Sequence, residues 1–190
     1  MVPVAPERGE QGIGFHQEHR LKLNIGCGNK RVPGFTGVDA SPRTKADIIA
    51  PADKIPLPDG CATDIMAIHL LEHFYQWEAP AALTEWARLL QPGGLLIMEM
   101  PDLLKWARNL VEGRENLKHP DQLHMWAAYG DPRDKNPLMC HRWGYTFETV
   151  KPMLEKAGFV DIVETRPQFH IVGRDIRDFR VEACKRVTTA

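Results

Sequence analysis

LKLNIGCGN, residues 21 to 29, is the stretch from which the fold can be read. Leu21, Leu23 and Ile25 alternate with Lys22 and Asn24, the period of a strand with two unlike faces, and the run stops at Gly26. A strand that meets G-x-G marks a turn where a ligand can lie against the backbone and take hydrogen bonds from its amides. Outward from it, TGVDA (36 to 40), ADIIA (46 to 50) and TDIMAI (63 to 68) are further short strands, separated by proline, glycine and aspartate. Between Glu78 and Leu90 the spacing becomes helical, with Ala79, Leu83, Trp86, Ala87 and Leu90 on one face; QPGG then stops the helix and launches the strand LLIMEM. LLKWARNLV after Asp102 reads as a short helix, and Thr149 to Ala157 as another, with Pro152 in its first turn and Gly158 past its end. FVDIVET (159 to 165) and DFRVEACK (178 to 185) are the last strands. Strands and helices in alternation imply a mostly parallel α/β sheet, with ligands beyond the carboxyl ends of its strands.

Composition sets the outer limits. The chain has 190 residues, 43% of them hydrophobic and 26% charged, enough for one domain with a sizeable core. Lysine and arginine number 24 against 25 acidic residues, so the net charge of −1 gives no global field to recruit nucleic acid or anionic lipid. Cys27, Cys61, Cys140 and Cys184 form no C-x-x-C pair, which suits a reducing compartment, and the cytoplasm is the expected location. No apolar run is long enough to span a bilayer, and residues 1 to 19, rich in proline, glycine and charge, read as a mobile or wrapping arm. Residues 20 to 190 are then one domain, with a polar, histidine- and tryptophan-bearing stretch at about 103 to 144 that reads as a lid-like insert.

Asp39 strengthens the ligand reading of the glycine turn, because a carboxylate at the end of the second strand can accept both hydroxyls of a ribose. Only 39 − 28 = 11 positions separate it from Gly28, against roughly 20 in a dinucleotide fingerprint, so a short turn is expected in place of a first helix. Arg31 stands where the third glycine of G-x-G-x-x-G belongs, which argues against a bound pyrophosphate.

LNIGCGN, GVDAS, KIPLPDG, LLEHF and EWARLLQPGGLLIMEMPD, in that order and at these intervals, resemble the class I S-adenosylmethionine-dependent methyltransferases, and most closely a small bacterial branch associated with surface-glycan biosynthesis. The resemblance runs from about Leu21 to Asp102 and resumes at YTFETVKPMLEKAGF. It implies a Rossmann-like three-layer sandwich whose seven-stranded sheet has the order 3-2-1-4-5-7-6, with strand seven antiparallel. It also implies S-adenosylmethionine as cofactor. Asn24, Gly26, Cys27 and Gly28 would then face the methionine half, Asp39 and Ala40 the ribose, Ala52 and Asp53 the adenine edge, with His69 and Leu70 at the cleft. Asn24 stands where the family usually has an acid, and Pro51 near its acidic position after strand three. Those departures sustain an alternative, a non-catalytic cofactor-binding module that supports a partner enzyme.

HLLEH, residues 69 to 73, has the spacing H-x-x-E-H, by which one helical turn offers two imidazoles to zinc. A zinc hydrolase, the third reading, needs all five residues in one helix with no strand directly before them; TDIMAI leads straight into the motif, so no metal is assigned. His69 belongs at a strand end over the cleft, with Glu72 and His73 as a local polar pair. Methyl transfer to a hydroxyl benefits from a base, and His69, His124 and His141 are the candidates. Arg142 beside Trp143 offers a site for an anionic substrate. The expected activity is methylation of a small-molecule, sugar or glycan hydroxyl by a monomer or homodimer, alongside glycan-biosynthesis enzymes and with neither nucleic acid nor membrane insertion.

Overall fold

The structure is a computed structural model that describes residues 21–113, 125–131, 133, 135–169 and 177–187. The expected N-terminal arm, His124 and the middle of the insert lie outside the described residues. Strands β1 (Leu21–Ile25), β2 (Thr36–Asp39), β3 (Ile48–Ile49), β4 (Ala62–Ile68), β5 (Leu90–Pro101), β6 (Phe159–Thr165) and β7 (Asp178–Lys185) form one sheet in the order β3-β2-β1-β4-β5-β7-β6. All neighbours are parallel except β7, which runs antiparallel to both β5 and β6. This is the order and sense expected from the resemblance.

Helices α1 (Ala79–Leu89), α2 (Leu103–Val111), α3 (Trp126–Tyr129) and α4 (Phe147–Lys156) lie between the strands in sequence. The apolar stripe read for α1 is its core face: Leu83, Trp86 and Leu89 are fully buried with Leu23, Ile25, Ile65 and Leu96. Trp86 also donates from Nε1 to the Ala52 carbonyl at 2.9 Å, while Arg88 of the next turn donates to the carbonyls of Ile55 and Leu57. Glu85 completes the staple by accepting from the Ile55 amide at 2.7 Å. One face of α1 thus fixes the loop that follows β3, the loop assigned to the adenine edge.

Three local expectations are corrected or sharpened. QPGG does not separate helix from strand. Leu90 turns to ψ 140°, and β5 begins there, with a pairing irregularity between Ala62 and Asp64 on β4 that absorbs Gln91 to Gly94. Helix α4 starts at Phe147 rather than Thr149, because Thr146 and Thr149 form a reciprocal capping box that satisfies the first free amides. Pro152 therefore sits inside the helix, where it removes one interior N–H, and not in the first turn. Between β1 and β2 the described chain has turns and no helix, as the short spacing from Gly28 to Asp39 implies. No described helix is long and apolar enough to cross a membrane.

Replacing Trp86 by alanine deletes a fully buried ring and one hydrogen bond to the loop after β3. The expected cost is about 3–5 kcal/mol, read from the urea midpoint at unchanged slope.

Candidate functional site

The cradle at the end of β1 is built from backbone. Gly26 and Cys27 both donate their amides to the Val38 carbonyl, at 2.8 and 3.1 Å, which folds the turn back against β2. Gly26 takes φ +69°, and a Cβ there would meet the Leu70 side chain at 2.7 Å, so both conformation and contact require glycine. Above Gly28 the space is open: a Cβ built there meets nothing within 4 Å. Asp39 faces the same turn and accepts from the Gly28 and Ser41 amides at 2.8 Å each, one bond per carboxylate oxygen. An ionised carboxylate has about four lone-pair sites, so each oxygen keeps one for a sugar hydroxyl. An open glycine turn facing a half-buried carboxylate fits an adenosyl ribose.

The other residues expected around this cradle fall into three groups. Leu70 packs over Gly26. Asn24 is buried and points its amide to the Lys30 carbonyl at 3.4 Å, so its side chain helps hold the turn. Cys27 contributes backbone only, because its thiol is turned toward Gly37, where a Cβ would approach Sγ to 2.9 Å, and burial pushes the thiol pKa up. Ala40 and Asp53 are exposed, whereas Ala52 is buried with its carbonyl bound to Trp86. At the adenine edge the fold offers backbone rather than a side-chain acid.

HLLEH does not form one helix. Ile68 ends β4, His69 takes the left-handed conformation at φ +51°, and only Leu71–His73 coil, as a single 3₁₀ turn. A non-glycine residue in this region stores about 1–3 kcal/mol and persists only where its surroundings fix it. Those surroundings are strong. The His69 amide donates to the Glu99 carbonyl of β5 at 2.7 Å, its Nδ1 lies 3.1 Å from Glu72 Oε1, and its Nε2 lies 3.3 Å from Asp178 Oδ2 at the start of β7. Both carboxylates are almost wholly buried.

Burial alone would favour the neutral ring, but the hydrogen bonds and charges of Asp178 and Glu72 outweigh it and raise His69 to about 9. Burial likewise pushes the Glu72 and Asp178 carboxyls up, yet His69 overcomes it and both end below the usual carboxylate range; Arg177 assists at Asp178. His69 is therefore an imidazolium with a carboxylate at each nitrogen. It has no lone pair for an acceptor's proton, and the base role expected of it does not suit these surroundings.

His141 arrives from the far end of the insert. The Glu72 carbonyl accepts the amides of Arg142 at 2.7 Å and Trp143 at 3.3 Å, pinning that segment to the turn of HLLEH. His141 donates from Nδ1 to the Ala127 carbonyl at 3.0 Å, and burial holds its pKa below the ordinary histidine value against the pull of Glu72. Its ring is neutral, and Nε2, 3.9 Å from Glu72 Oε1, carries the lone pair. His73 meets it edge-on, with ring centroids 4.9 Å apart.

Residues 23–98 match the family model of the methyltransferase domain. The 3-2-1-4-5-7-6 sheet around that stretch has the strand order of the Rossmann-like methyltransferase fold. Over these residues the chain is similar to methyltransferase domains.

Solved structures of the same fold include a SAM-dependent methyltransferase, possible histamine N-methyltransferase, of Thermotoga maritima, at 19% identity and TM-score 0.59 over 87% of this chain and 82% of that one. A SAM-dependent methyltransferase of Archaeoglobus fulgidus has 17% identity and TM-score 0.58 over 87% and 86%. Phosphoethanolamine N-methyltransferase 2 of Haemonchus contortus, solved with phosphomonomethylethanolamine and S-adenosylhomocysteine, has 11% identity and TM-score 0.58 over 88% of this chain and 49% of its own. No curated protein sequence matches the chain. The cradle at Gly26, Gly28 and Asp39 stands at the carboxyl ends of β1 and β2 in this sheet.

Beside the turn of HLLEH, Arg142 is engaged within the protein. Its guanidinium lies over the Tyr75 ring at 4.9 Å and 3.6 Å from Glu78, while Tyr75 stacks on Trp77 at 4.6 Å. Trp143 is 43% exposed and Trp77 is 73% exposed, so aromatic surface rather than a spare cation faces outward. Sequence reasoning missed Asp178 and Tyr145. Asp178 carries no local signal, being simply the first residue of a strand. Tyr145 is buried with its hydroxyl unpartnered among the described residues, and burial with the nearby Glu72 charge raises its pKa.

Asp178→Ala leaves the buried His69 cation with one carboxylate and an unsupported left-handed backbone. A loss of about 3 kcal/mol in chemical denaturation is expected.

Proposed function

We propose that the domain methylates a hydroxyl of a small molecule, a sugar or a glycan intermediate, in the cytoplasm and alongside glycan-biosynthesis enzymes. The observation that carries the reading is the neighbourhood of two sites: the Asp39 cradle at the end of β1, and a neutral His141 with an available Nε2 beside the end of β4. When bound, S-adenosylmethionine supplies an electrophilic methyl group on a sulfonium. The protein's share is alignment, exclusion of water and care of the acceptor's proton. A hydroxyl gives up its proton only with help, and His141 is equipped to give that help. Asp39 holds the ribose hydroxyls, Gly26 and Gly28 admit the cofactor to the backbone, and Leu70 covers the cleft beside them. Trp77 and Trp143 provide flat apolar surface on which a sugar ring can rest.

A second reading, methylation of an amine, draws on the two N-methyltransferases among the solved structures of the same fold. Incubation with S-adenosylmethionine and panels of nucleotide sugars, glycans and amines separates the two, with the demethylated cofactor and the site of the new methyl read by mass spectrometry. An O-methyl product supports the proposal; N-methyl products alone overturn it. Cofactor that binds but is never consumed points instead to the non-catalytic module.

S-Adenosylmethionine at 100 times its dissociation constant should add about 2.7 kcal/mol to stability, seen as a thermal shift. Asp39→Ala should abolish that shift in protein with an unchanged far-UV spectrum. His141→Gln should keep the shift while turnover falls by about 10²–10⁴-fold.

A further inference from the structure

His141 does not present its lone pair alone. His73, on the 3₁₀ turn after β4, has its Nδ1 3.1 Å from the Cys140 carbonyl. A carbonyl only accepts, so Nδ1 carries the proton and Nε2 is the coordinating end, as in His141 with the Ala127 carbonyl. Metal-binding histidines are characteristically oriented this way, the distal N–H donating to a backbone carbonyl or carboxylate. The third member is Glu72, whose side chain is 3% exposed. Its Oε1 receives His69, while its Oε2 is buried without a hydrogen-bond partner among the described residues.

One ligand atom from each of Glu72, His73 and His141 lies within 4.8 Å of the other two. We propose that Glu72, His73 and His141 form a binding site for one divalent transition-metal ion of the zinc type. Lone pairs that face one another, one of them on a buried carboxylate, repel unless a positive charge lies between them. Two imidazoles and a carboxylate favour zinc and its neighbours over magnesium, which prefers oxygen ligands and keeps its water. A closure of roughly half to one ångström per side chain brings the three atoms to bond lengths of about 2.0–2.2 Å.

The opening spacing of HLLEH is thus met in a different way. His69 is not a ligand, since both its nitrogens face carboxylates, and its place is taken by His141 from a distant segment. His69 instead orients the ligand Glu72 from behind. Three protein ligands leave the fourth position of a tetrahedral ion for an oxygen of water or acceptor, and the unpartnered Tyr145 hydroxyl is a donor near Glu72 for such an oxygen. The inference shares with the proposed methyl transfer the orientation of His141 and competes with the base role for the same Nε2 lone pair, while His73 and the buried Glu72 Oε2 are its own evidence.

The full chain, freed of metal by chelator and dialysed, is titrated with Zn²⁺ alone in a calorimeter, and in parallel with Co²⁺ to read its visible absorption bands. One equivalent should bind, and His73→Ala and His141→Ala should each weaken it by more than about a hundredfold, beyond the usual loss from an outer-shell partner. Cys140→Ser, beside the cluster, should bind as the wild type does. Absence of stoichiometric binding and of cobalt bands in the wild type overturns the proposal. So does binding unchanged in both histidine variants, or binding lost with Cys140. Where an alanine variant does not fold, His73→Gln and His141→Gln take its place, with the S-adenosylmethionine thermal shift as the control for a native cleft. A cofactor shift without zinc binding removes the metal site and leaves the methyl-transfer reading, and the opposite result does the reverse.

Discussion

One cation between two buried carboxylates governs the cleft. His69 lies within contact of Glu72 and Asp178, and each of these groups would be costly to bury by itself. Together they tie the end of β4 to the start of β7 across β5 and keep His69 in a backbone conformation it would otherwise leave. The 3₁₀ turn that follows inherits its direction from this arrangement, and so does the Glu72 carbonyl that pins Arg142 and Trp143. A strained residue at a strand end, fixed by polar contacts from three elements, is how a rigid sheet directs a loop into a binding cleft.

The sheet was legible in the sequence because its strands are short, apolar and separated by turn-forming residues, and because the ordered motifs from LNIGCGN to LLQPGG carry the topology between them. The cradle was legible for the same reason: Gly26, Gly28 and Asp39 are each required by a local geometry that few other residues meet. Boundaries were less so. Leu90 leaves α1 and enters β5 with no intervening turn, and Thr149 stands in a capping box where a glutamate or glutamine is customary, so the usual signals were weak.

The surroundings of HLLEH were mostly hidden. HLLEH has local contacts that its spacing predicts and remote ones that it does not, and the remote ones, to Glu99, Asp178, Cys140 and His141, define its chemistry. Asp178 and His141 are far from His69 along the chain, and nothing in DFRVEACK or CHRWGY marks them as its neighbours. Sequence reasoning weighed the motif as helix or strand end, whereas the structure combines a strand end, a left-handed residue and a single 3₁₀ turn. Arg142 and Trp143 were paired by adjacency, whereas the Arg142 guanidinium lies over the Tyr75 ring.

The antiparallel β7 has an implication for biogenesis. It supplies Asp178 and, through Arg180, the buried partner of Glu99, yet it is among the last parts of this sequence to be made. While the nascent chain is still on the ribosome, the parallel half of the sheet can already assemble, but His69 then lacks one of its two counter-ions. The cleft matures only when that strand enters between β5 and β6, so translation itself delays a competent pocket until β7 has been made.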